Sequence, residues 1–183
     1  FETLGLNMAE NESILENKLI HELATGDSQW TYRPDLKTED DLWNNIREKL
    51  GNMNSHKLDG HPITDSEMEQ IKSFIKEKAE STYKAAVWLS GERGLAQIPL
   101  SREDASLGQV HLDAISNRDI AGGHSTYEII NQYQSRKQDD TDRNRRFDVT
   151  LLINGFPMIH IELKNQSHPY KEAFNQIKKY LTQ

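Results

Sequence analysis

A chain of 183 residues, 35% hydrophobic and 28% charged, is long enough for one domain with its own core and carries a large share of surface. It has no cysteine, which excludes disulfides, thiolate metal sites and cysteine nucleophiles; no apolar run approaches the roughly 20 residues that span a bilayer and no signal peptide opens it, so no membrane is expected and the expected location is cytoplasmic. The net charge of −7 opposes a general affinity for nucleic acid, yet residues 133–183 hold nine Lys/Arg against six Asp/Glu while residues 1–132 hold thirteen against twenty-three.

The stretch NESILENKLIHELATG sets Leu15, Leu19, Ile20 and Leu23 at helical spacing before Gly26 and predicts a helix from about Glu10 to Ala24. TEDDLWNNIREKLG repeats the form. Thr38 is the N-cap, acids fill the first turn, Leu42, Trp43, Ile46 and Leu50 make the buried stripe, and Gly51 is the expected stop. GNMNSHKLDGHP reads as a loop. Thr64 and Glu67 make a capping box for a long helix through Met68, Ile71, Phe74 and Ile75 to about Leu89. From Gly91 the pattern changes. QVHLDAIS, residues 109–116, alternates Val110, Leu112 and Ala114 against His111, Asp113 and Ile115 and predicts a strand; Tyr127, Ile129 and Tyr133 predict a second over 125–134. A hairpin follows over 146–164, and YKEAFNQIKKYLTQ then places Ala173, Phe174, Ile177 and Leu181 on one helical face. The expected architecture is α/β, a mostly antiparallel central sheet flanked by helices with an N-terminal helical part. It is expected as one domain over 1–183, divided into a mainly helical 1–104 and a sheet-and-helix 105–183. A chain that opens at Phe1 and stops inside a helical pattern is expected to be a fragment of something longer.

The hairpin RRFDVTLLINGFPMIHIELKNQ carries Asp148 in one arm and Glu162 and Lys164 in the other, where Thr or Ser would suit a strand better. Asn154-Gly155 invites a two-residue type I′ turn, which would set Asp148 opposite Ile161 and Val149 opposite His160. A three-residue loop, Asn154-Gly155-Phe156 with a glycine bulge, pairs Phe147 with Leu163, Val149 with Ile161 and Leu151 with Ile159. On the other face it sets Asp148 with Glu162 and Thr150 with His160. A slip of one residue would turn the apolar set to water, so burial favours the odd register. Two facing carboxylates repel unless a cation lies between them. A divalent metal such as Mg²⁺, with Mn²⁺ as a substitute, would be held by Asp148, Glu162 and the backbone carbonyl of Leu163. Lys164 points to the face of Glu162, where it can hold an attacking water or steady the charge on a phosphorus.

Asp148 followed by Glu162-Leu163-Lys164 resembles the PD-(D/E)xK nuclease signature, with Phe147 in the place of the name-giving proline. The text around it, NQYQ, an arginine-rich turn, RRFDVTLLINGFPMIHIELKN and then QIKKY, resembles the N-terminal nuclease region of the restriction and translocation (R) subunit of type I restriction-modification enzymes. The resemblance is strong over about 105–183. Gln176 and Tyr180 match the Q-x-x-x-Y motif of RecB-like nucleases and, one turn apart, share a helix face. The resemblance implies a restriction-endonuclease-like core and a metal-dependent DNA endonuclease that cuts without strong sequence preference. It also implies double-stranded DNA as substrate and modification (methyltransferase) and specificity subunits as partners. ATP would belong to absent motor domains, since the chain has no G-x-x-x-x-G-K-[ST] phosphate loop. It further implies a site acid from the first helix; Glu16 holds the matching place, and a solvated Glu16 is the alternative.

Arg143, Arg145 and Arg146 are candidate phosphate contacts, with a solvated loop the equal alternative. His160 and His168 flank the centre and read as structural, and His21-Glu22 has no second His at zincin spacing. For Gln176 and Tyr180 the alternative is a polar residue and a partly buried tyrosine. Two other functions remain open on the sequence: a stand-alone, structure-selective nuclease of resolvase type, which a more basic surface would favour, and a non-catalytic docking domain that keeps a nuclease fold.

Overall fold

A computed structural model of the chain describes residues 2–26, 30–118, 124–134 and 146–163. In chain order these form α1 (Glu2–Thr25), β1 (Thr31–Tyr32), α2 (Glu39–Met53), α3 (Asp65–Lys78), α4 (Thr82–Ser90), β2 (Leu95–Ser101), a 3-10 turn (Ala105–Leu107), β3 (Gln109–Ser116), β4 (Tyr127–Gln134), β5 (Arg146–Ile153) and β6 (Phe156–Ile161). The architecture is α/β, as the element pattern predicts.

Side-chain caps start three of these helices. Thr38 and Asp41 exchange hydrogen bonds at the head of α2, and Thr64 and Glu67 do the same at α3. α2 runs past Gly51 to Met53 and closes on Asn54, because Leu50 is fully buried there and Asn54 has a tertiary task. The long helix expected through Leu89 is instead two. α3 ends at Lys78, and the Ser81 hydroxyl accepts the Lys84 N–H at 3.2 Å to start α4. A serine hydroxyl that caps a new first turn competes with the unbroken helix.

Strands form a four-stranded sheet in the order β1-β4-β5-β6, with β1 parallel to β4 and the other neighbours antiparallel, and a two-stranded antiparallel sheet β2-β3. Alternation along β4 and β5 gives the larger sheet two apolar faces. Ile129, Val149 and Leu151 meet Leu19, Ile20 and Leu23 of α1. Ile130 and Leu152, on the opposite side, meet Leu36 and Leu42 at the start of α2. A second core joins the later part of α2 with α3, β2 and β3 around Leu50, Ile71, Ile98 and Leu112. The rung between Ala96 and Gln97 skips Ala114 on β3, which lets Ala114 and Ile115 both be buried.

The β5–β6 turn is the seam between the two cores. Phe156, directly after the turn, lies in the second core with its ring 5.9 Å from that of Trp88. Two buried asparagines finish the seam by satisfying backbone groups of β3. Asn54 takes the Asp113 N–H at 2.7 Å and gives to the Asp113 carbonyl at 2.9 Å, and Asn154 gives to the Ala114 carbonyl at 3.1 Å. A strand with one neighbour has an open edge, and these amides close it. On the α2 side of β4, buried Glu128 is held by Arg33 at 2.5 Å, Asn45 at 2.8 Å and Lys49 at 3.3 Å, so the charge is compensated where it is desolvated. Hydrogen bonding to Asp35 is the chief cause that raises the Arg33 pKa; burial opposes it and Glu128 adds to it. Among the described residues, no helix is long and apolar enough to cross a membrane.

Candidate active site

The hairpin keeps the expected register by a different device. Asn154 and Gly155 have φ of 52° and 84°, the two left-handed positions of a type I′ turn, and Ile153 pairs directly with Phe156. Left alone, that turn would give the even register. Between Leu151 and Leu152 the ladder shifts and Met158 is left without a partner, so from there Leu151 faces Ile159, Thr150 faces His160 and Val149 faces Ile161. The expected three-residue loop is thus corrected to a two-residue turn plus a bulge. Val149 and Leu151 are buried under α1, and that burial favours the slipped register. Ile159 stays half exposed, and among the described residues β6 is the sheet's edge.

Asp148 follows the same alternation onto the face of Thr150, whose hydroxyl lies 2.9 Å from His160 Nδ1. Partial burial pushes the His160 imidazole below its ordinary pKa, which favours the neutral ring. Asp148 Oδ2 accepts the Leu163 N–H at 2.6 Å, beyond the end of β6. This contact ties the Asp148 carboxylate to the segment Glu162-Leu163. Glu162 is exposed, Asp148 and Leu163 are half-buried. Lys164, His168, Gln176 and Tyr180 lie outside the described residues, as do Arg143, Arg145 and the side chains of Arg146 and Phe147.

The donors that Asp148, Glu162 and the Leu163 carbonyl could offer are all oxygen, in a chain without thiols. That set suits a hard cation such as Mg²⁺, which takes one or two carboxylates and fills its shell with water and phosphate oxygens. Among the described residues no three His, Asp or Glu side chains are grouped closely enough to hold a metal by themselves. Asp148 and Glu162 would make it a two-carboxylate site, with water completing the shell.

Glu16 is buried on α1, and its carboxylate receives Asn131 Nδ2 at 2.6 Å and Gln132 Nε2 at 3.1 and 3.3 Å. Asn131 is gripped from its other side by Lys37 Nζ at 2.7 Å and the Tyr32 hydroxyl at 3.0 Å. Desolvation, and then the charge of Glu16, raise the Tyr32 pKa against the pull of Asn131. Asn131 and Gln132 escaped the sequence reading: polar residues in a strand have no distinguishing period, and their importance rests on a backbone angle that composition does not carry.

Residues 9–183 match the family described as Type I restriction enzyme R protein N terminus. The chain is 31% identical over 175 residues to a type I restriction enzyme endonuclease subunit of Staphylococcus aureus, covering 95% of this chain and 17% of that protein. A Staphylococcus saprophyticus endonuclease subunit is 30% identical over 174 residues, with the same two shares. The EcoprrI endonuclease subunit of Escherichia coli is 27% identical over 174 residues, 93% of this chain and 49% of that protein. The chain therefore spans 17% of the length of the staphylococcal relatives. It belongs to the family of type I restriction enzyme R protein N-termini.

Proposed function

We propose that this chain is a metal-dependent DNA endonuclease domain of PD-(D/E)xK type, which hydrolyses phosphodiester bonds of double-stranded DNA without strong sequence preference. It would act in the cytoplasm within a type I site-specific deoxyribonuclease. Motor domains elsewhere in the R subunit would translocate DNA with ATP, and modification and specificity subunits would choose the site. The observation that carries the reading is the hydrogen bond from the Leu163 N–H to Asp148 Oδ2, in a register that pairs Val149 with Ile161. It sets an aspartate beside Glu162-Leu163, and Lys164 follows these two in the sequence, which supports the order a nuclease centre needs.

Asp148, Glu162 and the Leu163 carbonyl would hold Mg²⁺. When bound, the ion supplies positive charge beside the scissile phosphate and makes a nearby water more acidic. Fixing Asp148 Oδ2 to the Leu163 N–H orients this carboxylate before substrate arrives, so less reorganisation is left for the reaction. The Lys164 ammonium would donate to a non-bridging phosphate oxygen, countering charge that grows as water attacks in line and the 3′ oxygen leaves. Gln176 and Tyr180, by their spacing, would present one polar helix face to the site or the DNA.

Asp148→Ala and Lys164→Ala in the complete restriction enzyme test this. Each is expected to abolish DNA cleavage, with a loss of at least ~100-fold, while DNA-stimulated ATP hydrolysis continues. Normal cutting by both variants would refute the assignment.

A further inference from the structure

Gln132 has a φ of 54° and is, among the described residues, the one non-glycine inside a strand in the left-handed region. A Cβ there is strained, and such strain persists where surrounding contacts impose it. Its place in the sheet is specific. The β4–β5 register pairs Ile129 with Leu151, Ile130 with Thr150 and Asn131 with Val149, and resumes at Tyr133 with Phe147; the rung left out is Gln132 with Asp148.

Successive residues of a strand point to opposite faces. Asn131 and Gln132 nevertheless both reach the Glu16 carboxylate, at 2.6 Å for Asn131 and at 3.1 and 3.3 Å for Gln132. A left-handed residue between them reconciles the two contacts with one strand. Lys37 and Tyr32 fix Asn131 from outside, so the turn of the backbone falls on Gln132. Glu16 is 6% exposed, and a buried carboxylate holds its amide donors firmly.

We infer that Gln132 is a positioning residue for Asp148, held in its left-handed conformation by Glu16 so that the β4–β5 ladder opens at the rung of Asp148. The inference rests on the reading of Asp148 as catalytic. At that rung the continuation of β6 supplies the Leu163 N–H to the Asp148 carboxylate. Glu16 then acts through Gln132 rather than as a ligand of the ion.

The test uses the complete restriction enzyme, with single-turnover DNA cleavage, ATP hydrolysis and calorimetric titration with Mn²⁺ as readouts. Gln132→Ala keeps the Cβ strain but loses the bond to Glu16, and Glu16→Gln weakens it from the other end. Both are expected to slow cleavage by at least ~10-fold and raise the half-saturating Mn²⁺ concentration, with ATP hydrolysis unchanged. Gln132→Gly adopts the left-handed conformation freely and is expected to recover most of both losses. Adding Glu16→Gln to Gln132→Gly should change little further. Should Gln132→Ala fail to fold, the comparison of Gln132→Gly with and without Glu16→Gln decides the matter.

A Gln132→Gly enzyme that is as defective as Gln132→Ala overturns the inference. So does a full further loss from Glu16→Gln in the glycine background, which would mark Glu16 as a ligand in its own right. Cleavage that survives Asp148→Ala defeats the underlying reading. Cleavage lost in Asp148→Ala but normal in Gln132→Ala and Glu16→Gln defeats this inference alone.

Discussion

Replacing Asn154 by alanine strikes the hairpin turn, the β3 edge and the seam between the cores in one step. The side chain is 2% exposed; its Oδ1 accepts the Thr126 N–H at 2.8 Å and its Nδ2 donates to the Ala114 carbonyl at 3.1 Å. Alanine orphans both backbone groups in a place water does not reach, at about 1–3 kcal/mol each. It must also hold a φ of 52°, which costs alanine about 1 kcal/mol more than asparagine. The sum is about 3–7 kcal/mol, a large part of the roughly 5–15 kcal/mol that stabilises a domain. Asn154→Gly removes the backbone penalty and keeps the two orphans, so it should be about 1 kcal/mol milder. Asn154→Asp keeps the acceptor for Thr126 but sets a carboxylate oxygen against the Ala114 carbonyl, and should be at least as damaging as alanine. Equilibrium urea unfolding of the three variants, followed by circular dichroism, measures all of this. Losses within ~0.5 kcal/mol for both alanine and glycine would show that Asn154 is no keystone, and a glycine variant worse than alanine would refute the left-handed argument.

What could be read in the sequence depended on how local its cause is. Caps announce themselves over four residues, and Thr38 at the head of α2 and Thr64 with Glu67 at α3 stand where the sequence places them. The break between α3 and α4 was hidden because Phe74, Ile75, Trp88 and Leu89 keep helical spacing across it. Ser81 decides the matter through one hydroxyl. β2 was missed for another reason: Pro99 interrupts LAQIPLS, and proline demotes a run to an edge strand at best. Among the described residues β2 is such an edge, paired with β3 alone, and so tolerates Pro99 opposite His111.

The hairpin register was legible because a one-residue slip would set His160 in place of Ile161 opposite buried Val149, a penalty that outweighs the preference of the turn. The way it is met was not legible. Asn154-Gly155 obeys its own turn preference and Met158 absorbs the difference, so two local rules hold at the expense of one ladder rung. For the candidate site, Asp148 and the Glu162-Leu163 segment could be brought together from alternation alone. Gln132 could not, since its role comes from a buried acid more than a hundred residues away in sequence.

Two further outcomes follow from buried contacts. Gly155→Ala would put a Cβ 3.2 Å from Ile46 Cα and Cγ1 at a φ of 84°, against α2 backbone that cannot yield. A cost of about 2–3 kcal/mol in a urea or thermal melt is expected. Glu67 allows a sharper test, because its stabilisation is tied to charge. Its carboxylate, 1% exposed, takes Arg102 Nε at 2.7 Å, the Glu103 N–H at 2.9 Å and the Thr64 N–H at 3.0 Å. Burial alone would raise its pKa; the bond from Arg102 and the two N–H groups outweigh that and hold it below the ordinary carboxylate value. A folded-state pKa below the unfolded one stabilises fully at pH above the unfolded value, and the gain is lost as pH falls through the folded value. Glu67→Gln should therefore cost about 3 kcal/mol at pH 7, where Arg102 is left buried without its counter-charge. Below the unfolded carboxylate pKa the gap to the parent should narrow, since the parent loses the same interaction on protonation. Replacing both partners, Glu67→Leu with Arg102→Met, removes the orphaned cation and should restore part of the stability at pH 7. A gap that stays constant through the acid range would mean that Glu67 holds α3 by shape and capping, with its charge contributing nothing.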